Sequence, residues 1–147
     1  MKVVVQRVIK SSVSVEDKIV GKIGKGLCIL VSFTEEDTIE DINYMIKKVV
    51  NLRIFDDENG IMNKSVLDVN GEILSISQFT LYADTKKGNR PSYIKALGGT
   101  KAIKLYDKFN ELLKKYINVE TGVFGADMKV EILNDGPVTI IIDSKYK

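Results

Sequence analysis

A polar cluster, Ser77-Gln78-Phe79-Thr80, ends a mainly apolar run that begins at Glu72 and has the composition of a β-strand. Hydroxyl and amide groups at a strand end, beside backbone N–H groups that no other strand uses, can bind the negative charge that develops on oxygen during acyl transfer. The same residues also fit a polar strand end at the protein surface. Pattern alone favours that simpler interpretation.

A second unusual stretch, Asn134-Asp135-Gly136-Pro137-Val138-Thr139, lies between two β-like runs at 129–133 and 138–143. The chain has only two prolines, and proline is normally excluded from the middle of a sheet because it lacks an N–H donor. We predict that the Gly-Pro step is an active-site element and that residues 77–80 are its partner. The simpler alternative is a trans proline in a plain hairpin turn, since few X-Pro bonds in folded proteins are cis.

Composition narrows the chemistry. The 147 residues include no histidine and one cysteine. Without histidine the chain cannot form Ser-His or Cys-His nucleophiles or the usual zinc and non-haem iron sites, and a single cysteine cannot form a disulfide within the chain. Cys28 lies in the apolar run 27–31, which favours a packed, inert thiol. We therefore expect no metal and no cofactor.

The net charge of +2 is too small to indicate a nucleic-acid ligand by itself. Lys86, Lys87 and Arg90 form a basic cluster, and lysines recur along the helical pattern near 101–115. Solvated surface is the default interpretation of both. The sequence has no apolar run of membrane-spanning length and no signal-peptide pattern, so we expect a cytoplasmic protein without a membrane partner.

Alternating and apolar runs predict the strands of the fold. They lie at 1–10, 12–15, 19–23, 27–33, 52–55, 66–69, 72–79, 121–124, 129–133 and 138–143. Asn59-Gly60 is the strongest hairpin signal in the chain, because this dipeptide suits the tight turn between antiparallel strands. Arg7 places a charge inside the first strand. It fits either an outward edge position or a fixed donor that holds active-site backbone.

Apolar residues spaced three and four apart predict helices at about 38–51 and 99–117. Asp37 and Glu40 fit a capping box at the start of the first helix. Many strands with two helices predict an α/β fold. We expect a single domain over 1–147, with mixed β-sheets in a barrel-like or layered arrangement and both helices packed on one side.

The two polar stretches, Ser77-Gln78-Phe79-Thr80-Leu81 and 134–139, together resemble the paired signature of the D-aminoacyl-tRNA deacylase family. Other segments match the family in order and spacing: Val5-Gln6-Arg7-Val8, Arg53-Ile54-Phe55, Met62-Asn63, Lys87-Gly88, Arg90-Pro91-Ser92, Thr121-Gly122, Phe124, and Ala126-Asp127-Met128. The resemblance covers essentially the whole chain, and its motifs are specific in combination. Tyr82 departs from the pattern, which often has a small residue there, and could crowd one edge of the site.

The resemblance implies a homodimeric hydrolase that cleaves the ester joining a D-amino acid to the 3′-terminal adenosine of tRNA. Glycine attached to tRNA, including glycine mischarged on the alanine tRNA, is implied as a second substrate. Gly136-Pro137 would be cis, would enter the active site of the other subunit and would act as the chirality filter.

The same resemblance implies roles for other residues. The reaction pocket would be lined by Ser77, Gln78, Phe79 and Thr80. Arg7 would orient the Gly-Pro loop, and Phe124 and Met128 would form an adenine pocket. The basic cluster of Lys86, Lys87 and Arg90 gains weight as a contact to phosphates at the tRNA acceptor end.

Thr80 is the obvious candidate nucleophile, but a hydroxyl needs an adjacent base, and neither motif contains one except Asp135, which fits a turn residue. Attack by water, assisted by the free ribose hydroxyl beside the ester, is the favoured mechanism, with backbone N–H groups near Phe79 and Thr80 as donors. Two alternatives stay open. One is a non-catalytic module of the same fold that binds RNA ends or a protein, and the other is an acyl hydrolase with Thr80 as nucleophile.

Overall fold

Eight strands, two α-helices and one short 3₁₀ turn build the structure, a computed structural model that describes residues 1–147. The strands are β1 (Lys2–Val15), β2 (Lys18–Ile23), β3 (Gly26–Ser32), β4 (Phe55–Asp56), β5 (Met62–Lys64), β6 (Glu72–Ser77), β7 (Val119–Thr121) and β8 (Lys129–Asp143). The helices are α1 (Ile39–Asn51) and α2 (Gly99–Leu113), and the 3₁₀ turn spans Phe79–Tyr82.

Six strands form one mixed sheet in the order β2-β1-β3-β6-β7, with β8 also paired to β1. The β3–β6 and β6–β7 pairs are parallel, and the others are antiparallel. The sheet curls until its ends approach each other: a Cβ added to Gly21 on β2 would lie 2.7 Å from the carbonyl oxygen of Thr121 on β7. The fold is therefore a mixed, nearly barrel-like α/β sheet with two helices, as the sequence predicts.

The two faces of the sheet bury two separate apolar clusters. A cluster of 20 buried residues joins one face to both helices, with Phe109 of α2 and Met45 of α1 fully buried in it. A cluster of six lies inside the curl of the sheet and consists of Val8, Val13, Ile23, Cys28, Leu74 and Ile76. Alternation along β6 sends Ile73 to the helices and Leu74 into the curl, because successive strand side chains point to opposite faces. Both helices pack on the same side, as predicted.

The predicted break between strands 1–10 and 12–15 is wrong. β1 runs unbroken from Lys2 to Val15 because β8 pairs with it from Lys2–Asp143 to Ser14–Lys129 and supports it across the expected gap. The two strands predicted at 129–133 and 138–143 likewise form one strand, β8. The stretch between them is not a hairpin, since both parts run along β1 in the same direction.

Four predicted strands are absent, shortened or displaced. Residues 66–69 form a turn, in which the Ser65 and Asp68 side chains bond each other and the local backbone. The strand predicted at 72–79 ends at Ser77, and those predicted at 52–55 and 121–124 become β4 and β7. The hydrogen bonds between Ser65 and Asp68 offer the backbone at 66–69 an alternative to a strand. The Asn59-Gly60 hairpin is confirmed, with β4 and β5 antiparallel.

The predicted capping box on α1 is displaced by one residue. Thr38 is the N-cap, and its hydroxyl accepts from the Asp41 N–H while the Asp41 carboxylate accepts from the Thr38 N–H at 3.0 Å. Asp37 has other partners, since its carboxylate accepts from the Thr34 N–H and from the Met1 ammonium group. Helix α2 ends at Leu113 instead of 117.

Candidate active site

A concave, mostly apolar cavity of about 280 Å³ opens at the C-terminal end of β6. Ten of its fourteen lining residues are hydrophobic, and the polar groups concentrate where β6 ends. The cavity brings together five of the residues singled out in the sequence: Ser77, Gln78, Phe79, Phe124 and Met128. A pocket with apolar walls and a few converging polar groups is the usual form of a small-ligand site.

The polar corner of the cavity is set by the change from β6 to the 3₁₀ turn. The Gln78 N–H donates to the Val31 carbonyl at 2.8 Å, so the chain is still tied to β3 where the turn begins. The Gln78 side-chain nitrogen donates to Thr80 Oγ1 at 2.6 Å. The N–H groups of Phe79 and Thr80 open the turn, and 3₁₀ hydrogen bonding, which joins residues three apart, leaves them without an acceptor inside it. This turn replaces the predicted strand geometry of Phe79 and Thr80.

Buried hydroxyl groups hold the backbone behind this corner. The Tyr106 hydroxyl of α2 donates to the Ser75 carbonyl at 2.7 Å, and the Ser32 hydroxyl donates to the Phe79 carbonyl at 3.4 Å. Burial raises the pKa of Tyr106, so this phenol keeps its proton and remains a donor. The end of β6 is thus fixed to helix α2 and to β3.

The opposite wall of the cavity comes from the segment between β7 and β8. The Phe124 ring packs against Tyr106, with ring centroids 5.7 Å apart. Met128 lies against Gly122, because a Cβ at Gly122 would collide with the Met128 sulfur. Sequence reasoning gave Gly122 no role beyond the family match. The sequence carries no signal for this contact, because a spacing of six residues across the segment between β7 and β8 fits neither the helix nor the strand period.

The Gly-Pro bulge, residues 135–138, lies in the middle of β8. Gln6 of β1 pairs with Thr139 and Val8 pairs with Asn134, so four residues of β8 face Arg7 alone. The Gly136–Pro137 peptide bond is cis, and Gly136 has a φ of 124° that favours glycine. The Asn134 side chain closes the bulge by accepting from the Val138 N–H at 3.1 Å and donating to the Val138 carbonyl at 3.2 Å.

Arg7 holds this bulge from beneath, and its side chain is only 9% exposed. Its Nε donates to the Asp135 carbonyl at 3.1 Å and its Nη1 donates to the Ile54 carbonyl at 2.7 Å. The carboxylates of Asp56 and Asp135 lie at 3.6 Å and 3.5 Å from the guanidinium. A Cβ at Gly136 would lie 3.0 Å from Arg7 Nη2, so the guanidinium also fills the space beside that glycine.

Within one chain the Gly-Pro bulge and the cavity do not meet. Strands β1 and β3 lie between β8 and β6, and Arg7 aligns with Ile73 whereas Ser77 aligns with Val3. Strand β8 does reach the cavity at Val130, which pairs with Val13, but the bulge lies opposite Arg7, six residues farther along β1 and roughly 20 Å away. Both Gly136 and Pro137 are exposed and neither lines the cavity.

Tyr82 does not crowd the cavity. Its side chain is buried outside the cavity, and Lys2 Nζ lies 4.8 Å from the ring centroid. Lys86, Lys87 and Arg90 are all exposed in the loop of residues 84–92, which the paired backbone groups of Asp84 and Ser92 close.

Cys28 is fully buried inside the curl of the sheet, and burial raises the pKa of its thiol to about 11. It is therefore neutral at physiological pH and does not face the cavity. No three Cys, Asp or Glu side chains are grouped so that they could hold a metal ion. None of the helices is long and apolar enough to cross a membrane.

Comparison with known proteins places this geometry in context. Residues 4–143 match the model of the family described as D-Tyr-tRNA(Tyr) deacylase. The chain is 62% identical over 146 residues to a D-aminoacyl-tRNA deacylase of Clostridium novyi and 60% identical to one of Clostridium botulinum, covering 99% of this chain and 98% of each relative.

Two solved structures are also similar. One, titled c-Myc DNA Unwinding Element Binding Protein, has a TM-score of 0.93 and 44% sequence identity, with 97% of this chain and 98% of that chain covered. The other, a probable eukaryotic D-amino acid tRNA deacylase, has a TM-score of 0.83 over 96% of this chain and 97% of its own. At 18% identity, the second comparison supports the fold alone.

Proposed function

The chain belongs to the D-Tyr-tRNA(Tyr) deacylase family, and we propose on that premise that it hydrolyses the ester bond of D-aminoacyl-tRNA. The products are free tRNA and the D-amino acid. The observation that carries the proposal is the cavity at the end of β6, in which an apolar wall faces a polar corner. The cavity lies where the motif at 77–80 begins to turn away from the sheet, and its volume of about 280 Å³ supports the proposal that the end of the substrate binds there.

The cavity has two parts that match the two parts of the substrate's end. The wall of Phe124 and Met128 offers an aromatic face and a polarisable sulfur to the terminal adenine. The corner formed by Ser77, Gln78 and Phe79 then lies beside the ester. The N–H groups of Phe79 and Thr80 supply donors for the oxyanion that forms when the carbonyl carbon becomes tetrahedral.

Water is the proposed nucleophile. The Thr80 hydroxyl already accepts from Gln78, and the chain has no histidine to take its proton. The free ribose hydroxyl next to the ester accepts a proton from water as the water oxygen bonds the carbonyl carbon. The same hydroxyl passes its own proton to the neighbouring ribose ester oxygen as the bond from the carbonyl carbon to that oxygen breaks. The ribose diol and the free amino acid are the products, and no proton is left over. Substrate positioning supplies most of the rate enhancement.

The active site is completed by a second copy of the chain. The Gly-Pro bulge lies about 20 Å from the cavity of its own chain and is exposed, so only another subunit can bring such a bulge to that cavity. A two-fold homodimer would place the bulge of each subunit at the cavity of the other, because each subunit offers the same two surfaces to its partner.

The bulge selects the hand of the amino acid. Its carbonyl groups can accept hydrogen bonds from the substrate ammonium group, and its backbone occupies the space that an L side chain needs. Steric rejection by rigid backbone requires no recognition of individual D side chains. Glycine has no side chain to reject, so glycyl-tRNA, including glycine mischarged on the alanine tRNA, is a second proposed substrate.

The exposed Lys86, Lys87 and Arg90 provide contacts to phosphates of the acceptor end. Such contacts are largely independent of sequence and weaken steeply as salt rises. Because the substrate is tRNA, we place the enzyme in the cytoplasm, where translation occurs.

The deciding experiment is hydrolysis of D-tyrosyl-tRNA compared with L-tyrosyl-tRNA by the purified protein. We expect rapid turnover of the D form alone. If the protein hydrolyses neither ester, the non-catalytic RNA-binding module becomes the better interpretation. If the protein hydrolyses both esters equally, the activity is that of an unselective esterase and the proposed role of the bulge is wrong.

A further inference from the structure

We propose that Tyr93, together with Phe79, forms a stacking platform for the unpaired base of the nucleotide that precedes the terminal adenosine of the tRNA. This inference rests on the proposed function, because it assigns a binding site to the next part of the same substrate. Tyr93 has a role in neither the cavity nor the Gly-Pro bulge described above.

The platform is a pair of exposed aromatic rings at the mouth of the cavity. The centroids of Phe79 and Tyr93 lie 5.0 Å apart, with the rings edge to face at 72°. Phe79 is 54% exposed and Tyr93 is 40% exposed, although both rings would be expected to bury their faces. Phe79 lines the cavity, so the pair extends from the proposed adenosine site outward to the surface.

The backbone that carries Tyr93 is fixed on both sides. The residue before it, Ser92, pairs with Asp84 through two backbone hydrogen bonds of 2.8 and 2.9 Å. Four residues later, the Leu97 N–H donates to the Phe33 carbonyl at 2.8 Å, and both of these residues line the cavity. A ring on fixed backbone loses little conformational freedom when a base stacks on it, which favours binding.

Charge identifies the class of occupant. The segment 86–95 carries four cationic side chains, Lys86, Lys87, Arg90 and Lys95, and no acidic residue. Aromatic rings interleaved with basic residues are the usual surface for single-stranded nucleic acid, where bases stack on rings and cations contact phosphates. The strand approaching the cavity from this side would therefore place its last phosphates on the basic loop and its penultimate base on the ring pair.

The test compares two substrates that differ only in the presence of the preceding nucleotides. These are D-tyrosyl-tRNA and the 3′-O-D-tyrosyl ester of adenosine, assayed with wild-type protein, Tyr93→Ala and Tyr93→Phe. Tyr116→Ala is the matched control, since Tyr116 is an exposed tyrosine beyond the end of α2, next to the start of β7 and away from the cavity.

We expect Tyr93→Ala to raise KM for the tRNA substrate at least about fivefold, the loss typical of one stacked base. The effect on the adenosine ester should be much smaller, kcat should change little, and Tyr93→Phe should restore wild-type KM. Equal losses on both substrates would overturn the inference, and so would an unchanged KM for the tRNA. Equal losses with a changed mass in solution would instead place Tyr93 against a second copy of the chain.

A binding measurement separates failure of this inference from failure of the proposed function. If the wild-type protein hydrolyses neither substrate, the proposed function fails. The affinities of the protein for the trinucleotide CCA and for adenosine can still be measured and compared. Weaker binding of CCA by Tyr93→Ala, with unchanged binding of adenosine, would support the platform. The same affinity of both proteins for CCA would reject it.

Discussion

The cavity and the Gly-Pro bulge recognise a ligand by different means. The cavity presents side chains, ten of them hydrophobic, on a curved surface that several elements share. The bulge presents backbone, and two side chains hold it: the buried Arg7 guanidinium bonds the Asp135 carbonyl, and Asn134 bonds both backbone groups of Val138. Side-chain surfaces tolerate small changes gradually, because neighbours repack. A backbone surface held by so few side chains should instead fail abruptly when Arg7, the buried one, is lost.

The comparison also explains why each region lies where it does. A cavity needs a strand end, where a chain can turn away and expose N–H groups. The bulge needs the opposite, a long strand paired on both sides of the insertion, so that four residues are held opposite a single partner residue. The chain places these features roughly 20 Å apart, which is why we propose that two copies combine.

Arg7→Ala should have the largest effect. It removes the donors to Asp135 and Ile54 and leaves the Asp56 and Asp135 carboxylates without a cation, which should cost about 2–4 kcal/mol of folding free energy. With the bulge free to move, we expect turnover of D-tyrosyl-tRNA to fall about a hundredfold or more. Urea unfolding and steady-state kinetics measure the two effects.

Arg53→Ala is the matched control for this experiment. Arg53 also donates to a backbone carbonyl, that of Asn63 at 3.0 Å, but its side chain is exposed and makes no hydrogen bond to the bulge. It should keep near wild-type stability and turnover. If both variants lose activity to the same extent, the special position of Arg7 is not supported.

Gly122→Ala tests the cavity wall and should have a moderate effect. The added methyl group would push on the Met128 sulfur, which is the end of a flexible side chain, so the fold should survive while the wall shifts. We expect KM for the tRNA substrate to rise about three- to tenfold with a smaller change in kcat. Gly24→Ala, whose added Cβ would have its nearest neighbour at 3.8 Å, should leave both constants unchanged.

Thr80→Ala should have a smaller effect still. Thr80 loses one hydrogen bond to Gln78, equivalent to about 1 kcal/mol, so turnover should fall no more than about fivefold to tenfold. Single-turnover hydrolysis of D-tyrosyl-tRNA is the appropriate measurement. A loss of a thousandfold or more, restored by Thr80→Ser, would make Thr80 the nucleophile and contradict attack by water.

The Cys28 thiol should take no part in activity, and its ionisation should make only a small contribution to the pH dependence of stability. Its pKa in the folded chain, about 11, lies above the value of an exposed thiol, so burial of the neutral thiol favours folding at neutral pH. That preference is lost as pH rises past the unfolded pKa toward about 11. We expect iodoacetamide at pH 8.5 to label Cys28 in urea and to spare it in the native protein. Fast native labelling would show that the curl beneath the cavity opens.

The sequence predicts the fold class well because periodicity is read over many residues. Apolar spacing identified both helices and most strands, and the Asn59-Gly60 pair identified the hairpin. Boundaries were less predictable where side chains compete with one another for backbone groups. Thr38 took the capping position expected of Asp37, because Asp37 instead accepts from the Met1 ammonium group, a partner 36 residues away.

Contacts that depend on tertiary register could not be read from the sequence. The bulge requires that β1 and β8 pair on both sides of Arg7, and the break in register appears only when the strands are aligned. The tight packing of Met128 on Gly122 and the pairing of Phe79 with Tyr93 also join residues whose spacing carries no periodic signal. The polar motif at 77–80 was visible, but its 3₁₀ turn was not, since its residues fit a strand equally well.

The proposal that one chain's bulge completes the other chain's cavity is tested most directly by mixing two defective variants. Gly136→Ala strains the bulge through the φ of 124° and the nearby Arg7, and Ala126→Trp fills the cavity. Each alone should have little D-specific turnover. Unfolding and refolding them together should create mixed dimers with one intact site, restoring about a quarter of wild-type turnover per chain. No recovery in demonstrated mixed dimers would contradict a site shared between subunits.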